Sequence, residues 1–294
     1  MKITVIEAKF IPKTPVHLNE FKGFSIRGAI GQKLRENSCL MGKNKNCKSC
    51  NRIEGCAYGY LFELEQRDVK KPLHRMQIPK PYSISPPLEP KKTYFVDEEI
   101  NFKIMLFGKG NNFLNHLKKA IEKVNSIGKG RKKGYGSVGA KIVNIKEEFV
   151  RSIQLKERIR FNFLTPTLLR FENSMVIEPS LQSIGMSMAR SFHNTSFFYY
   201  SYKPEINFVD FKKKLEKAAI CVNKIKKYTS IDRWSEKRNK KERISGIMGS
   251  ITYSITSLPK ETKKLLGLLA GYSNYRGIGK LTTAGMGRVN ITSY

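Results

Sequence analysis

Ser126–Val138 reads S-I-G-K-G-R-K-K-G-Y-G-S-V, and Arg276–Val289 reads R-G-I-G-K-L-T-T-A-G-M-G-R-V. Each is a G-x-G, a short basic or polar gap, and a second G-x-G that runs into a strand-like ending. The leading glycines lie 149 residues apart (128 and 277, 130 and 279) and the trailing ones 151 (134 and 285, 136 and 287), about half of the 294-residue chain. This spacing predicts a duplicated domain of about 150 residues.

The flanks of the two loops agree. Before the first, Phe113, Leu114, Leu117, Ile121 and Val124 recur at helical spacing, with Gly128 as a left-handed helix stop; before the second, Leu265, Leu266, Leu269 and Tyr272 do the same after Pro259. Strand patterns precede these helices at Ile100–Phe107 and Ile247–Ile255 and follow the loops at Ser137–Ile145 and Arg288–Thr292. The halves also open alike. Lys2–Phe10 and Arg158–Leu164 alternate as strands, followed by turns at Pro15 and Pro166 and by helices over Phe24–Arg35 and Ser180–His193, where His193 ends the helix. The expected fold is α+β: two tandem ferredoxin-like (RRM-like, β-α-β-β-α-β) domains, each closing with a glycine-rich loop and strand. The expected boundaries are 1–149, with a cysteine-containing insertion at 39–56, and 150–294. An extra amphipathic helix is predicted over Asp210–Tyr228, with Phe211, Leu215, Ala218, Val222 and Ile225 inward and its lysines outside that stripe.

Composition narrows the function. Forty per cent hydrophobic residues suffice for two cores and exclude a disordered chain. Lysine and arginine number 55 against 24 acids, a formal charge of +31, far more than solubility requires and clustered beside glycines and aromatics; a polyanionic partner follows. The longest apolar stretches, such as Leu265–Ala270, are too short for a membrane span, and Met1–Phe10 alternates like a strand rather than forming a signal-peptide core, so a cytoplasmic protein is expected.

Glycine allows positive φ and close backbone approach, so loop N–H groups can face phosphate oxygens while neighbouring cations neutralise charge. Lys129, Arg131, Lys132 and Lys133 are placed for this in the first loop, and Arg276, Lys280 and Arg288 in the second. A tight helix-to-strand connection is the other reading. Both loops follow helices and enter strands, the reverse of a dinucleotide site, and neither has G-K-[ST] after a strand.

Four of the five cysteines, Cys39, Cys47, Cys50 and Cys56, fall within 18 residues, spaced x7, x2 and x5. An odd count without a secretion signal argues against disulfides, and C-x2-C is a common half-site for tetrahedral zinc. A structural zinc would order the polar insertion; reduced thiols or an iron–sulfur cluster are the alternatives.

Gly277–Val289 resembles the C-terminal signature of the repeat-associated RNA-binding (RAMP) superfamily of CRISPR systems, specifically its pre-crRNA-processing endoribonucleases. Arg233-Trp234-Ser235, Lys237-Arg238 and Gly246–Tyr253 are similar to that family's arginine-aromatic-serine stretch and glycine-containing strand. Phe21-Lys22-Gly23 with Arg27-Gly28-Ala29 resembles its first-helix opening, and the four cysteines followed by Tyr58–Glu63 resemble one branch.

The resemblance implies metal-independent cleavage, in which the 2′-hydroxyl attacks the adjacent phosphate and leaves 2′,3′-cyclic phosphate and 5′-hydroxyl ends. No cofactor is then needed for catalysis. Of four histidines, His116 lies on a polar helix side and His193 at the expected helix end, whereas His74 lies in the proline-bounded stretch Pro72–Pro81, with Lys80 six residues on. The resemblance implies His74 as general base or acid and Lys80 as phosphate stabiliser, with His17 second choice. The family's helix-borne tyrosine has no counterpart near Gly31 or Gln32; Tyr58, Tyr60 or Tyr82 could substitute. Arg233, Lys237 and Arg238 join the loop cations as expected RNA contacts. The expected partner is CRISPR repeat RNA, with effector-complex subunits as further partners and the protein a monomer or homodimer. The rival readings are a non-cleaving RAMP subunit of an effector complex and a zinc-containing RNA chaperone.

Overall fold

The computed structural model describes every residue except 42–46, 48, 49, 65–77, 129–135, 219 and 236–238. The chain divides into two compact units, Met1–Glu148 with Phe198–Ser201, and Phe149–Phe197 with Tyr202–Tyr294.

The first unit opens with β1 (Lys2–Pro12), whose alternation puts Ile6, Ala8 and Phe10 in the core and Glu7 and Lys9 on the other face. A short β2 (Val16–His17) leads to α1 (Gly23–Ser38), which buries Ile26, Ile30 and Leu34 at i, i+4 spacing. A single π-helical turn at Gly59–Glu63 precedes β3 (Tyr82–Ser85), β4 (Thr93–Tyr94) and β5 (Ile100–Phe107). α2 (Leu114–Glu122), β6 (Ser126–Ile127) and β7 (Gly136–Phe149) complete it. β5 lies antiparallel between β1 and β3, in register from Ile3↔Phe107 to Phe10↔Ile100, and the sheet order is β3-β5-β1-β7-β6. The four main strands thus stand in the ferredoxin-like order, with both helices over the core face.

In the second unit, β8 (Arg158–Thr167) turns Ile159, Phe161 and Phe163 inward. The hairpin β9 (Arg170–Phe171) and β10 (Ser174–Met175) leads to α3 (Leu181–Tyr200) and α4 (Phe208–Ala218). Then come β11 (Ile220–Ser235), β12 (Lys240–Ser254), α5 (Lys260–Arg276) and β13 (Val289–Ser293). The order β11-β12-β8-β13 repeats the ferredoxin-like arrangement, and α5 buries Leu266, Leu269 and Tyr272.

Three local expectations are corrected. The helix foreseen over Asp210–Tyr228 ends at Ala218, and the chain continues as β11, paired with β12 from Ile220↔Ser254 to Ser235↔Lys240. Phe211 and Leu215 are buried, but Val222 and Ile225 stand 43% and 65% exposed on the strand. The run from Ile220 is rich in β-branched residues, and fifteen residues of cross-strand pairing outweigh a coincidental helical spacing. α2 ends at Glu122, so Gly128 (φ 151°) is not its stop but the exit of β6. α3 runs on to Tyr200, which makes His193 a mid-helix residue with its ring edge-on to Phe208.

No described helix is long and apolar enough to cross a membrane.

Candidate active site and nucleic-acid interface

The second glycine loop is a knot of backbone. Its four glycines, 277, 279, 285 and 287, all have positive φ, between 69° and 84°. A Cβ on Gly287 would lie 1.9 Å from the Ile278 carbonyl oxygen, and one on Gly279 2.4 Å from that of Leu168; neither position admits a side chain. The loop's donors point inward: Ile278 N–H to Gly287 O, Lys280 N–H to Leu168 O, Gly287 N–H to Pro166 O, and Arg288 N–H to Thr165 Oγ1. The tight-connection reading therefore accounts for these glycines, and the expectation that their N–H groups cradle phosphate gives way to a scaffold whose side chains must supply any contact.

Those side chains divide into two kinds. Arg276 is only 5% exposed, and Arg288 reaches inward to donate from Nη1 to the Tyr275 carbonyl at 3.0 Å. Burial lowers the Arg288 pKa to about 10, with no acid compensating it. Lys280 is more open; burial and then the nearby Arg170 lower its pKa. In the β11–β12 hairpin, Arg233 forks onto Glu242 Oε2 from Nε at 2.9 Å and Nη2 at 2.7 Å. Lys237 and Arg238, and Lys129, Arg131, Lys132 and Lys133 of the first loop, lie outside the described residues.

In the first unit, His74 also lies outside them, but Lys80 is placed: its amine donates to the carbonyl of Leu64, the residue that caps the π-helical turn. His17, exposed on β2, has Nδ1 3.0 Å from Thr93 Oγ1. It is held by the β2–β4 pairing rather than by any element bearing Lys80.

Sequence reading missed what surrounds Lys80. Phe62, in the π-helical turn, is stacked between Tyr58 (5.5 Å, 16°) and Tyr82 (5.1 Å, 29°). The Arg27 guanidinium lies 5.0 Å over Phe62, and its Nε donates to Tyr82 Oη at 3.1 Å; Arg35 lies 5.6 Å over Tyr58. Tyr58 Oη donates to Glu63 Oε1 at 3.2 Å, and burial followed by Glu63 holds that phenol well above its ordinary pKa. Tyr82, and after it Tyr58 and Glu63, hold Arg27 firmly protonated against the opposing effect of burial. The visible signal was the aromatic run Tyr58-Gly59-Tyr60-Leu61-Phe62-Glu63. Its π-helical winding, a recurrent mark of functional sites, was not visible.

The four clustered cysteines form no disulfide and are half-buried. Burial raises the Cys47 pKa, followed by the charges of Glu63 and, more weakly, Cys39 and Cys56, which places these thiols in one neighbourhood. Among the described residues, however, no three His, Cys, Asp or Glu side chains are close enough to hold a metal ion.

Residues 161–289 match the family model for the CRISPR-associated endoribonuclease Cas6, and residues 1–158 match one described as an N-terminal domain. Residues 161–289 belong to the Cas6 endoribonuclease family. The chain's fold is that of solved Cas6 structures. A Cas6 product complex is similar at TM-score 0.62 and 16% identity, covering 99% of this chain and 100% of that one. Thermus thermophilus Cas6 gives 0.60 and 12%, covering 98% of each, and a second Cas6 product complex gives 0.53 and 13%, covering 99% and 100%. No curated protein matches the sequence. The chain therefore carries a CRISPR-associated endoribonuclease domain of the Cas6 family on a frame of two ferredoxin-like units.

Proposed function

We propose that this Cas6 family member grips CRISPR repeat RNA and cuts it once per repeat by metal-independent transesterification. The 2′-oxygen attacks the adjacent phosphorus, the P–O5′ bond breaks, and the products carry a 2′,3′-cyclic phosphate and a 5′-hydroxyl. The reaction needs a base for the 2′-proton, an acid for the departing 5′-oxygen, and a cation for the phosphorane. His74 supplies the base or acid and Lys80 the cation, with His17 the second candidate for proton transfer. Lys80 carries the reading, because a cation six residues beyond the loop histidine is fixed at the π-helical turn.

RNA backbone contacts fall to Lys129, Arg131, Lys132 and Lys133 of the first loop, to Arg233, Lys237 and Arg238 of the hairpin, and to Lys280 of the second loop. Arg276 and Arg288 act from behind, holding that loop and adding positive potential. The domains divide at 149/150, and the protein works in the cytoplasm as a monomer or homodimer, alone or with effector-complex subunits. Cys39, Cys47, Cys50 and Cys56 hold a structural zinc, supported by their clustering within 18 residues and the C-x2-C spacing; holding it requires the insertion to draw the thiols together.

The test is a repeat RNA incubated with the protein in excess EDTA, followed by analysis of the ends. Cyclic-phosphate product that disappears on 2′-deoxy substitution at the scissile nucleotide is expected. Intact RNA under binding conditions, or cleavage that survives the substitution, overturns the reading.

A further inference from the structure

We propose that Arg27 is a second cation of the cleavage site, its guanidinium edge contacting a non-bridging oxygen of the scissile phosphate beside Lys80. The inference rests on the transesterification reading above.

Three observations carry it. First, the guanidinium is aimed. Its Nε is committed to Tyr82 Oη and one face lies on Phe62, so the Nη edge is what remains; no described residue accepts a hydrogen bond from it. Second, the charge is not cancelled by a bonded carboxylate. The nearby acid, Glu63, accepts a hydrogen bond from Tyr58 instead, and the next cation along the stack is Arg35 over Tyr58. Third, Arg27 and Lys80 are fastened to the same short frame. Arg27 holds Phe62 and Tyr82; Lys80 holds Leu64, two residues from Phe62, and stands two residues before Tyr82. Tyr82 is in turn fixed as the first residue of β3 by its pairing with Leu106 of β5.

An arginine stacked on an aromatic ring and pinned by one nitrogen has lost most of its rotamer freedom before substrate arrives. It presents a planar pair of donors suited to two phosphate oxygens. Charge that builds on those oxygens as the 2′-oxygen attacks is met by donors needing no reorganisation. The π-helical turn is what brings this about, since its wider winding sets Phe62 between the rings of Tyr58 and Tyr82.

The full chain tests the assignment under single-turnover conditions, with binding read separately on a repeat RNA carrying a 2′-deoxy scissile nucleotide. Arg27→Ala is expected to cleave about a hundredfold more slowly, the usual loss of one such donor, while affinity stays within about threefold. Guanidinium ion added at millimolar concentration should restore at least about tenfold of the rate, which refilling a merely structural gap would not do. If Arg27→Ala loses its melting transition, Arg27→Gln carries the test, keeping a polar head without the charge and expected to show the same loss. Cleavage by a folded variant within threefold of the parent, or a slow folded Arg27→Ala that guanidinium does not revive, overturns the assignment. The underlying reading fails differently: the unaltered protein would not cut, or Lys80→Ala would cut at the parent rate.

Discussion

The π-helical turn of the first unit and the glycine loop of the second are both rich in cations, yet they spend their donors in opposite ways. Around the turn, side chains are stacked and pinned so that Arg27, largely buried, lies on Phe62 and bonds Tyr82 through one nitrogen, and Lys80 stands at the cap. In the glycine loop the backbone N–H groups close on neighbouring carbonyls, and Arg288 turns inward to Tyr275. One region fixes its cations through side-chain stacking, the other holds its own shape through backbone bonds while Lys280 stays exposed. Glycine-rich and basic sequence therefore does not by itself identify a phosphate cradle; the destination of each N–H decides it.

The sharpest way to break this contrast is at the chemistry. His74→Ala should slow cleavage a hundredfold or more in a single-turnover assay, the loss expected for a general acid or base, while repeat RNA still binds. Normal cutting would move proton transfer to His17. The next largest effect should be on folding. Gly287→Ala forces a Cβ against the Ile278 carbonyl at positive φ, at a cost of about 3 kcal/mol, and should lower the melting temperature of the second unit by about 10 °C in a calorimetric scan. A phosphate cradle packed less tightly would tolerate alanine and lose only RNA affinity.

Smaller effects separate the loop's own cations. Lys280→Ala should weaken RNA binding several-fold and reduce the slope of log affinity against log salt by about 1, as for one lost phosphate contact. Arg288→Met, with its head already turned to Tyr275, should leave affinity within about threefold by filter binding. The smallest effect expected is that of EDTA on the initial cleavage rate, within about twofold. A large drop would place a metal in the reaction.

Much of this was legible in advance. Period-2 alternation in Lys2–Phe10 and Arg158–Leu164 and helical spacing around Leu117 and Leu269 report which face is buried, and burial is what those patterns encode. The duplicated glycines fixed the two-unit plan because each half must end alike. β11 was misread because Phe211, Leu215, Val222 and Ile225 happen to satisfy a helical period, and only pairing with β12 distinguishes the two. The Arg27–Phe62–Tyr82 stack was not legible at all. Its members lie 35 and 20 residues apart along the chain, joined by a winding that no local pattern announces.

The amino-acid sequence alone pointed to the α+β duplication and a polyanionic partner, which follow from periodicity, charge and glycine spacing, and to the family, through the resemblance of Gly277–Val289 to a known signature. The tertiary structure alone decided which cations face outward. A side chain's direction depends on what its own backbone and its distant neighbours have already claimed: Glu242 for Arg233, the Tyr275 carbonyl for Arg288, and for Arg27 a tyrosine hydroxyl that binds one nitrogen.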